Sequence, residues 1–473
     1  MKTRTGAPRP WTVLAICSLS LFLVGLDTTI VNIGLPAIGA GLRTGTRGLE
    51  WTVDAYTLVF ASLLITSGTL ADRVGRRRVF RLGLVVFGVS SAACALAPGI
   101  GALVAARAVQ GGGASMLSPV ALAIVVSVIT EPRQRARAIG VWAAVFGVSM
   151  AAGPAAGGAL VSAFGWRSVF WINLPVVGAL LMLTAFFVPE SRAARPRRLD
   201  APGQLLLTVM IGGLVAVLIE APRIGWLSPA AIADYLLITV AAAVFGRVES
   251  RRAEPLADPG LFRRPPFTAA VAAAVAVFAA LSATLLLNTL YLQHARGMSP
   301  LAAGIVTLPM AIAATVFAPL SGILTGRLGP RPPLLLAGSF ITAGGICLTG
   351  IASHTTIWLL ALGYLLTGTG FGFANAPITN TAVSGLPPAR AGFAGSITST
   401  ARQVGSALGI AIAGSLIASA APAQLAQASR PGWLLVAACG LLVLLAAIPA
   451  PAREAPELTP SRTTPTQACR SRP

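Results

Sequence analysis

The chain has 473 residues, 55% of them apolar and only 10% charged, with 50 Gly, 34 Pro and a mean hydropathy of +0.80. Soluble domains carry roughly 25% charged residues, so no stretch here is polar enough to coat a water-facing core, and an array of soluble domains is excluded. The formal charge of +21 would suit nucleic acid if the basic residues shared one soluble face, but they alternate with apolar runs.

A membrane-spanning helix needs about 17 to 25 mainly apolar residues. After a short tail at 1–10, six such runs fill a first bundle at 11–190: Trp11 to Leu35, Trp51 to Leu70, Val79 to Ala97, Ile100 to Ile129, Ala138 to Phe164 and Ser168 to Val188. Two shorter runs, Gly203 to Ile219 and Ala230 to Phe245, lie in a linker at 191–266. A second bundle at 267–448 holds Phe267 to Leu292, Leu301 to Leu324, Pro333 to Ala352, Ile357 to Val383, Gly392 to Ala420 and Gly432 to Ile448. The tail at 449–473, rich in Ser, Thr, Pro and Arg, reads as disordered. The expected architecture is an all-α polytopic membrane protein with 6+2+6 spans.

The basic residues orient these spans. With the N-terminus inside, 27 of the 35 lie in inner segments or, as Arg81 does, at the inner end of a span, six lie in outer segments, and Arg107 and Arg402 fall deeper within spans. That bias is the one cytoplasmic loops show, so both termini are expected in the cytoplasm and the charge faces anionic lipid rather than nucleic acid. Lys2, Arg4 and Arg9 ahead of an apolar run also resemble a signal peptide, but the run is about 25 residues long and carries Asp27, which favours a span. Heavy use of Arg over Lys points to a GC-rich bacterial genome and no further. The expected location is the bacterial cytoplasmic membrane.

Little in the sequence suggests catalysis. The sole lysine is Lys2, which removes a GxxxxGK phosphate loop, and the only histidines are His294 and His354. Cys17, Cys94, Cys347 and Cys439 lie in apolar runs, where sulfur serves as a small core hydrophobe, so neither a disulfide nor a metal site is expected. No cluster of His, Cys or acids shares one depth, so the chain is not expected to be an enzyme.

Span 2 ends in Gly68-Thr-Leu-Ala-Asp72-Arg73-Val-Gly75-Arg76-Arg77, and span 10 ends in Gly322-Ile-Leu-Thr-Gly326-Arg327-Leu-Gly329-Pro-Arg331. The shared frame GxLxxRxGxR falls at equivalent positions of the two bundles. Parallel halves of this kind mark a transporter with its site between them.

The string GTLADRVGRRR resembles the loop signature after span 2 of the major facilitator superfamily. Arg107-Ala-Val-Gln110-Gly111-Gly-Gly113 resembles that superfamily's span 4 motif, and Gly147-Val-Ser-Met-Ala-Ala-Gly153-Pro154-Ala-Ala-Gly157-Gly158 is similar to the span 5 motif of its antiporters. Leu26-Asp27-Thr-Thr-Ile-Val-Asn32, Trp166-Arg167, Ile172-Asn173-Leu174-Pro175 and Arg402-Gln403-Val-Gly405 further resemble the fourteen-span drug:proton antiporters of the EmrB/QacA kind. The resemblance covers Trp11 to Ile448 and implies the major facilitator fold in two pseudo-symmetric bundles. One departure is Gly326, which leaves the second loop signature without an acid.

An acid inside a span costs on the order of 2.5 to 3.5 kcal/mol or more, so Asp27 is a functional candidate by default. At 1.5 Å per residue, Asp27 lies about 12 Å and Arg107 about 10 Å below the outer face, at matching depth on spans 1 and 4. Asp27 is expected to take up the coupling proton, with burial favouring its neutral form and Arg107 favouring the carboxylate. The family resemblance implies the same roles. A permanently ionised structural pair is the alternative.

Asp72 is expected to latch onto a helix N-terminus of the other half in the outward-open state, a contact worth about 0.3 to 2 kcal/mol, unless it pairs with Arg73 or Arg76. Gly68, Gly75 and Arg76 complete that gating loop. Gly153 and Gly157, with small neighbours, allow close helix contact, and Pro154 can bend span 5. Gly368, Gly370 and Gly372 read as packing. Asn32, Asn173, Asn288, Gln293 and Asn375 are candidates to line a cavity, with an interhelical hydrogen bond the commoner fate of such residues. Arg402 is a candidate to line the cavity or anchor an anionic group, with a structural role as the alternative, and Asp54 and Asp234 sit near outer ends where water can wet them.

One proton moving inward gains about 2.3 kcal/mol per 100 mV and about 1.4 kcal/mol per pH unit. One-for-one exchange therefore sustains roughly a 300-fold gradient of a neutral solute. The expected function is proton-coupled export of a small amphipathic drug or antibiotic. An exporter of a metabolite, siderophore or amino acid is the alternative. Expected partners are the substrate, protons and membrane lipid, with no nucleic acid, a monomeric chain and no cofactor beyond the proton gradient.

Overall fold

The computed structural model describes residues 10–129, 131–192, 200–251, 259–352, 354–384, 388–417 and 424–450. Both expected tails therefore lie largely outside the described residues. Among the described residues every regular element is a helix. The first half comprises α1 (Pro10–Leu42), α2 (Thr46–Val74), α3 (Arg76–Ala95), α4 (Ile100–Ser115), α5 (Ser118–Val128), α6 (Pro132–Phe164), α7 (Ser168–Trp171) and α8 (Asn173–Phe187). The linker carries α9 (Ala201–Ile224) and α10 (Pro229–Glu249). The second half comprises α11 (Pro259–Phe262), α12 (Pro265–Leu290) with a π-helical turn at Tyr291–Ala295, α13 (Pro300–Leu328), α14 (Arg331–Thr349), α15 (Ile357–Val383), α16 (Pro388–Ile417), α17 (Leu425–Ala428) and α18 (Arg430–Ala446).

Among the described residues, 12 helices are long and apolar enough to cross a membrane, with α4–α5 and α7–α8 each counted as one. The helices α6 and α16, of 33 and 30 residues, occupy the two other runs expected to span. Two expected spans are interrupted for the same reason. Pro119 has no N–H to offer Ser115, and the chain turns at Met116 and Leu117 between α4 and α5. Pro175 likewise cannot donate to Trp171, and α7 gives way to α8 at Ile172.

Burial sorts the helices by role. The most apolar windows of α1 and α12 are each 78% buried, so these helices are apolar all round because protein surrounds them. The window of α10 is 11% buried, with Ile232, Leu236, Leu237, Val240 and Val244 exposed for lipid to solvate. α9 is held between the two halves. Its Ile211, Val215 and Ile219 pack with Ala407 and Ala411 of α16, and Trp51 and Leu58 of α2 join the same cluster. Thr66 donates to Gln204 at 2.5 Å, and the Gln204 amide donates to the Ser62 carbonyl, fixing one end of α9 to α2. At the other end Glu220 accepts from Arg47 at 2.6 Å and from Trp51 at 3.0 Å.

Arg73, Arg76, Arg77, Arg78, Arg327 and Arg331 sit where α2 meets α3 and where α13 meets α14, which defines a basic face. The described hydrogen bonds between the two halves lie toward the opposite face. Gln293 donates to the Ile33 carbonyl at 2.8 Å, and the Leu301 amide donates to Ser162 at 3.3 Å. Gly158 packs on Pro300 and Leu301, Gly304 on Pro154, and Gly414 of α16 on Glu50 of α2. At the basic end, Gly322 and Gly326 of α13 face open space.

Candidate transport site

α1 carries Asp27 into the middle of the first half, fully buried. Its Oδ2 accepts from Arg107 Nη1 at 2.7 Å. Its Oδ1 accepts from Gln110 Nε2 at 3.1 Å and from Asn173 Nδ2 at 2.9 Å. One turn of α4 supplies Arg107 and Gln110 because residues three apart share a helix face, and Arg107 also donates to Gln110 Oε1 at 2.8 Å. Asn173 comes from the start of α8, next to the break at Ile172, and it donates to Ser91 of α3 at 3.0 Å. Ser91 in turn donates to the Phe170 carbonyl at 2.9 Å.

Arg107 is as buried as its partner. Its Nε donates to the Thr52 carbonyl at 3.1 Å, and its guanidinium carbon lies 4.2 Å from the Tyr56 ring centre and 5.9 Å from that of Phe170. Its Nη2 has no hydrogen-bond partner. Three donors aimed at one carboxylate fit its ionised form, while burial makes that form depend on all of them. A proton arriving at Asp27 would take over the role of a donor, and the guanidinium would then need another acceptor.

This cluster brings together Asp27, Arg107 and Asn173, the last of which takes the interhelical hydrogen bonds expected as the commoner alternative to lining a cavity. Gln110, quoted only as part of a motif, and Tyr56 were not singled out by sequence. The signal for Gln110 was its three-residue spacing from Arg107. Close packing sets the geometry: a side chain at Gly111 would strike the Tyr56 backbone, and one at Gly113 would strike the backbone of Phe87 on α3.

The second half holds a neutral counterpart. Asn288 of α12 and Tyr364 of α15 are fully buried, and the Tyr364 hydroxyl donates to Asn288 Oδ1. Asn288 Nδ2 donates to Thr307 of α13 at 3.1 Å. Asn288 is thus engaged within its own half. Asn32 is also buried, donating to the Thr28 carbonyl at 2.9 Å with its Oδ1 unpartnered.

Asn375 and Arg402 are half-buried. Arg402 Nη2 donates to Thr379 at 2.6 Å, and its guanidinium lies 5.9 Å from the Phe278 ring centre. Arg402 Nε and Asn375 Oδ1 are buried with no hydrogen-bond partner.

In the loop at the basic face, Asp72 Oδ1 accepts from Arg76 Nε at 3.0 Å and Nη2 at 2.8 Å. Arg73 is exposed. Gly75 has φ +126°, a region that disfavours other residues, and a side chain there would meet Glu190. Glu190 accepts from the Arg77 amide at 3.1 Å, tying the start of α3 to the segment that follows α8. In α6, Gly153 packs on Thr29 and Gly157 on Ile30 and Ile33 of α1, while Gly158 and Pro154 face α13 across the halves. Gly147 falls where α6 is described by its backbone alone.

Asp54 departs from expectation. It was read as wetted near a helix end, yet it is fully buried, because α9 and α16 cover that stretch of α2. Asp234 on α10 is half-buried. Glu50, one turn from Asp54, is also buried and was missed altogether, since a position at the rim of a span reads as solvent-facing.

Helices throughout the described residues, two like halves, apolar surfaces and a buried ion pair at mid-span define a multi-pass membrane transporter. Residues 17–410 match the model of the Major Facilitator Superfamily, and the chain belongs to that family. It is 40% identical over 406 residues to the multidrug resistance protein Stp of Mycobacterium tuberculosis, covering 86% of this chain and 75% of that one. The methylenomycin A resistance protein of Streptomyces coelicolor is 38% identical over 403 residues, covering 83% of each chain. The tetracenomycin C resistance and export protein of Streptomyces glaucescens is 36% identical over 429 residues, covering 89% of this chain and 79% of that one.

Proposed function

We propose that the protein exports small amphipathic drugs or antibiotics across a bacterial cytoplasmic membrane by alternating access, in exchange for protons. The relatives' names support the drug as cargo. The observation that carries the coupling is the fully buried Asp27 carboxylate, held by donors from α4 and α8. Placing the basic face in the cytoplasm follows the enrichment of Arg in inner loops. On that orientation the halves meet on the outer side and the cargo enters from the cytoplasm. Proton uptake at Asp27 frees Arg107, which loosens the contact between α1, α4 and α8 and lets the first half change its tilt. The chain acts as a monomer with the proton gradient as its only energy source.

The test uses the purified protein in sealed proteoliposomes with an imposed proton gradient and a panel of the drugs named for its relatives. Wild-type protein is expected to build a drug gradient that a protonophore abolishes. Asp27→Asn should bind drug and mediate its equilibration without uphill transport. Full uphill transport by Asp27→Asn would overturn the coupling.

A further inference from the structure

Asp27 is not the only buried acid. Glu50 and Asp54 lie one helical turn apart on α2, exposed by 1% and 0%. Neither Asp54 oxygen has a hydrogen-bond partner, and Glu50 Oε1 has none either. This contrasts with Asp27, whose carboxylate meets three donors. An ionised carboxylate sealed from water with no donor is strongly disfavoured, and a bound proton removes the charge.

The position of the pair gives that proton a consequence. Glu50 packs directly on Gly414 of α16, a helix of the other half, where a side chain at residue 414 would strike the carboxyl group. α9 closes the flank of this contact through Ile211, Val215 and Ile219. The charged groups around it come from two helices. On α2, Arg47 lies one turn nearer the rim and is engaged by Glu220 at 2.6 Å. On α9, Glu220 and the exposed Arg223 act on Glu50 electrostatically. α16 presents glycine and alanine at Gly414, Ala411 and Ala407. On the α4 side, the guanidinium of Arg107 is taken up by Asp27.

We propose that Glu50 and Asp54 form a second proton-binding site, separate from Asp27, whose loading closes the outer seam between α2 and α16. This inference rests on the orientation given under Proposed function. With the seam shut, as here, both carboxyls are covered, and Asp54, with neither oxygen partnered, fits best as the neutral acid. When α16 withdraws, water and the rim arginines reach Glu50, and the carboxylates become tolerable. Protons from outside therefore favour the outward-closed form, the direction an importer of protons needs once it has released its cargo outside.

The experiment is a distance measurement by double electron–electron resonance in lipid nanodiscs. Spin labels replace Thr46 and Leu416 at the outer ends of α2 and α16 in full-length protein whose native cysteines have been replaced. A site that binds protons only in the closed form shifts the closed-to-open ratio by up to about tenfold per pH unit for each proton. The wild-type ratio should therefore rise steeply between about pH 8 and about pH 5. Glu50→Gln combined with Asp54→Asn should stay closed at both extremes, and Asp27→Asn should keep the wild-type pH response.

A wild-type ratio indifferent to pH overturns the proposal without recourse to any variant. So does a pH response that survives in the double variant, or closure driven by sodium at fixed pH. Failure of the two readings is distinguishable. If Asp27→Asn abolishes the seam's pH response while the double variant keeps it, the second site is wrong and proton coupling through Asp27 stands. If Asp27→Asn retains uphill transport, that coupling is wrong and the seam result is unaffected.

Discussion

The two halves of the molecule solve one packing problem with different chemistry. Arg107 is the eighth residue of α4 and Tyr364 the eighth of α15, and each is followed by the same glycine spacing, Gly111 and Gly113 against Gly368 and Gly370. Gly111 abuts the backbone of α2 and Gly368 that of α13, while Gly113 abuts α3 and Gly370 abuts α14. The parallel extends to α6 and α16, where Gly153 and Gly157 face α1 as Gly405 and Gly409 face α12. Within this shared frame, the Asp27–Arg107 ion pair of the first half becomes the neutral Asn288–Tyr364 hydrogen bond of the second. The second half bridges its helices at this height without a charge, so the shared packing alone does not call for the ion pair of the first.

The strongest way to break this comparison is to remove one member of the ion pair. Arg107→Tyr leaves Asp27 without its cation, and breaking a buried pair costs about 3 to 5 kcal/mol. Thermal unfolding in detergent should fall accordingly. The double variant Asp27→Asn with Arg107→Tyr copies the second half and should recover most of that loss, with no uphill transport in proteoliposomes. Recovery of both stability and coupling would mean that the charge is structural.

The converse change sharpens the contrast. Tyr364→Phe strands the Asn288 carbonyl, which costs about 1 to 3 kcal/mol for a buried acceptor. Because no charge is involved, the drug gradient formed per imposed proton gradient should match that of the wild type. A change in coupling ratio would show that the second half takes part in proton handling.

Legibility in the sequence follows the same division. Asp27 and Arg107 stood out because charge is rare within a span, and depth arithmetic was enough to pair them. The loop repeat at Gly68 and Gly322 revealed two halves. The match between Arg107-x-x-Gln110-Gly111 and Tyr364-x-x-Thr367-Gly368 was invisible as a motif, because what the halves share there is glycine geometry rather than side-chain chemistry. Asn173 read as either a cavity residue or an interhelical hydrogen-bonding one, since nothing in its neighbourhood tells that the Pro175 break turns it toward α1. Glu50 and Asp54 were hidden for a related reason. Hydropathy reports depth but not what covers a helix, and only the placement of α9 beside α2 and α16 shows that this stretch is enclosed.

The smallest expected effect on stability concerns the loops at the basic face, where the halves differ by the acid at Asp72 and its absence at Gly326. Asp72 pairs with Arg76 four residues on, with 37% of the Asp72 side chain exposed, and such surface pairs contribute about 0.2 to 1 kcal/mol. Asp72→Ala should therefore move the unfolding midpoint little. If Asp72 trades Arg76 for a helix N-terminus of the second half when the protein opens outward, the variant loses about 0.3 to 2 kcal/mol in that state alone. At 1.4 kcal/mol per tenfold, the ratio of outward-open to inward-open protein falls by roughly 2- to 30-fold. Distances across the basic ends of α2 and α16 would report the shift, and an unchanged ratio would reduce Asp72 to a loop salt bridge. A new acid at Gly326→Asp serves as the symmetric control. It adds charge at the equivalent site of α13 where nothing packs on the backbone, so it tests whether an acid at this height latches by position alone or needs the Arg76 and Glu190 surroundings of the first half.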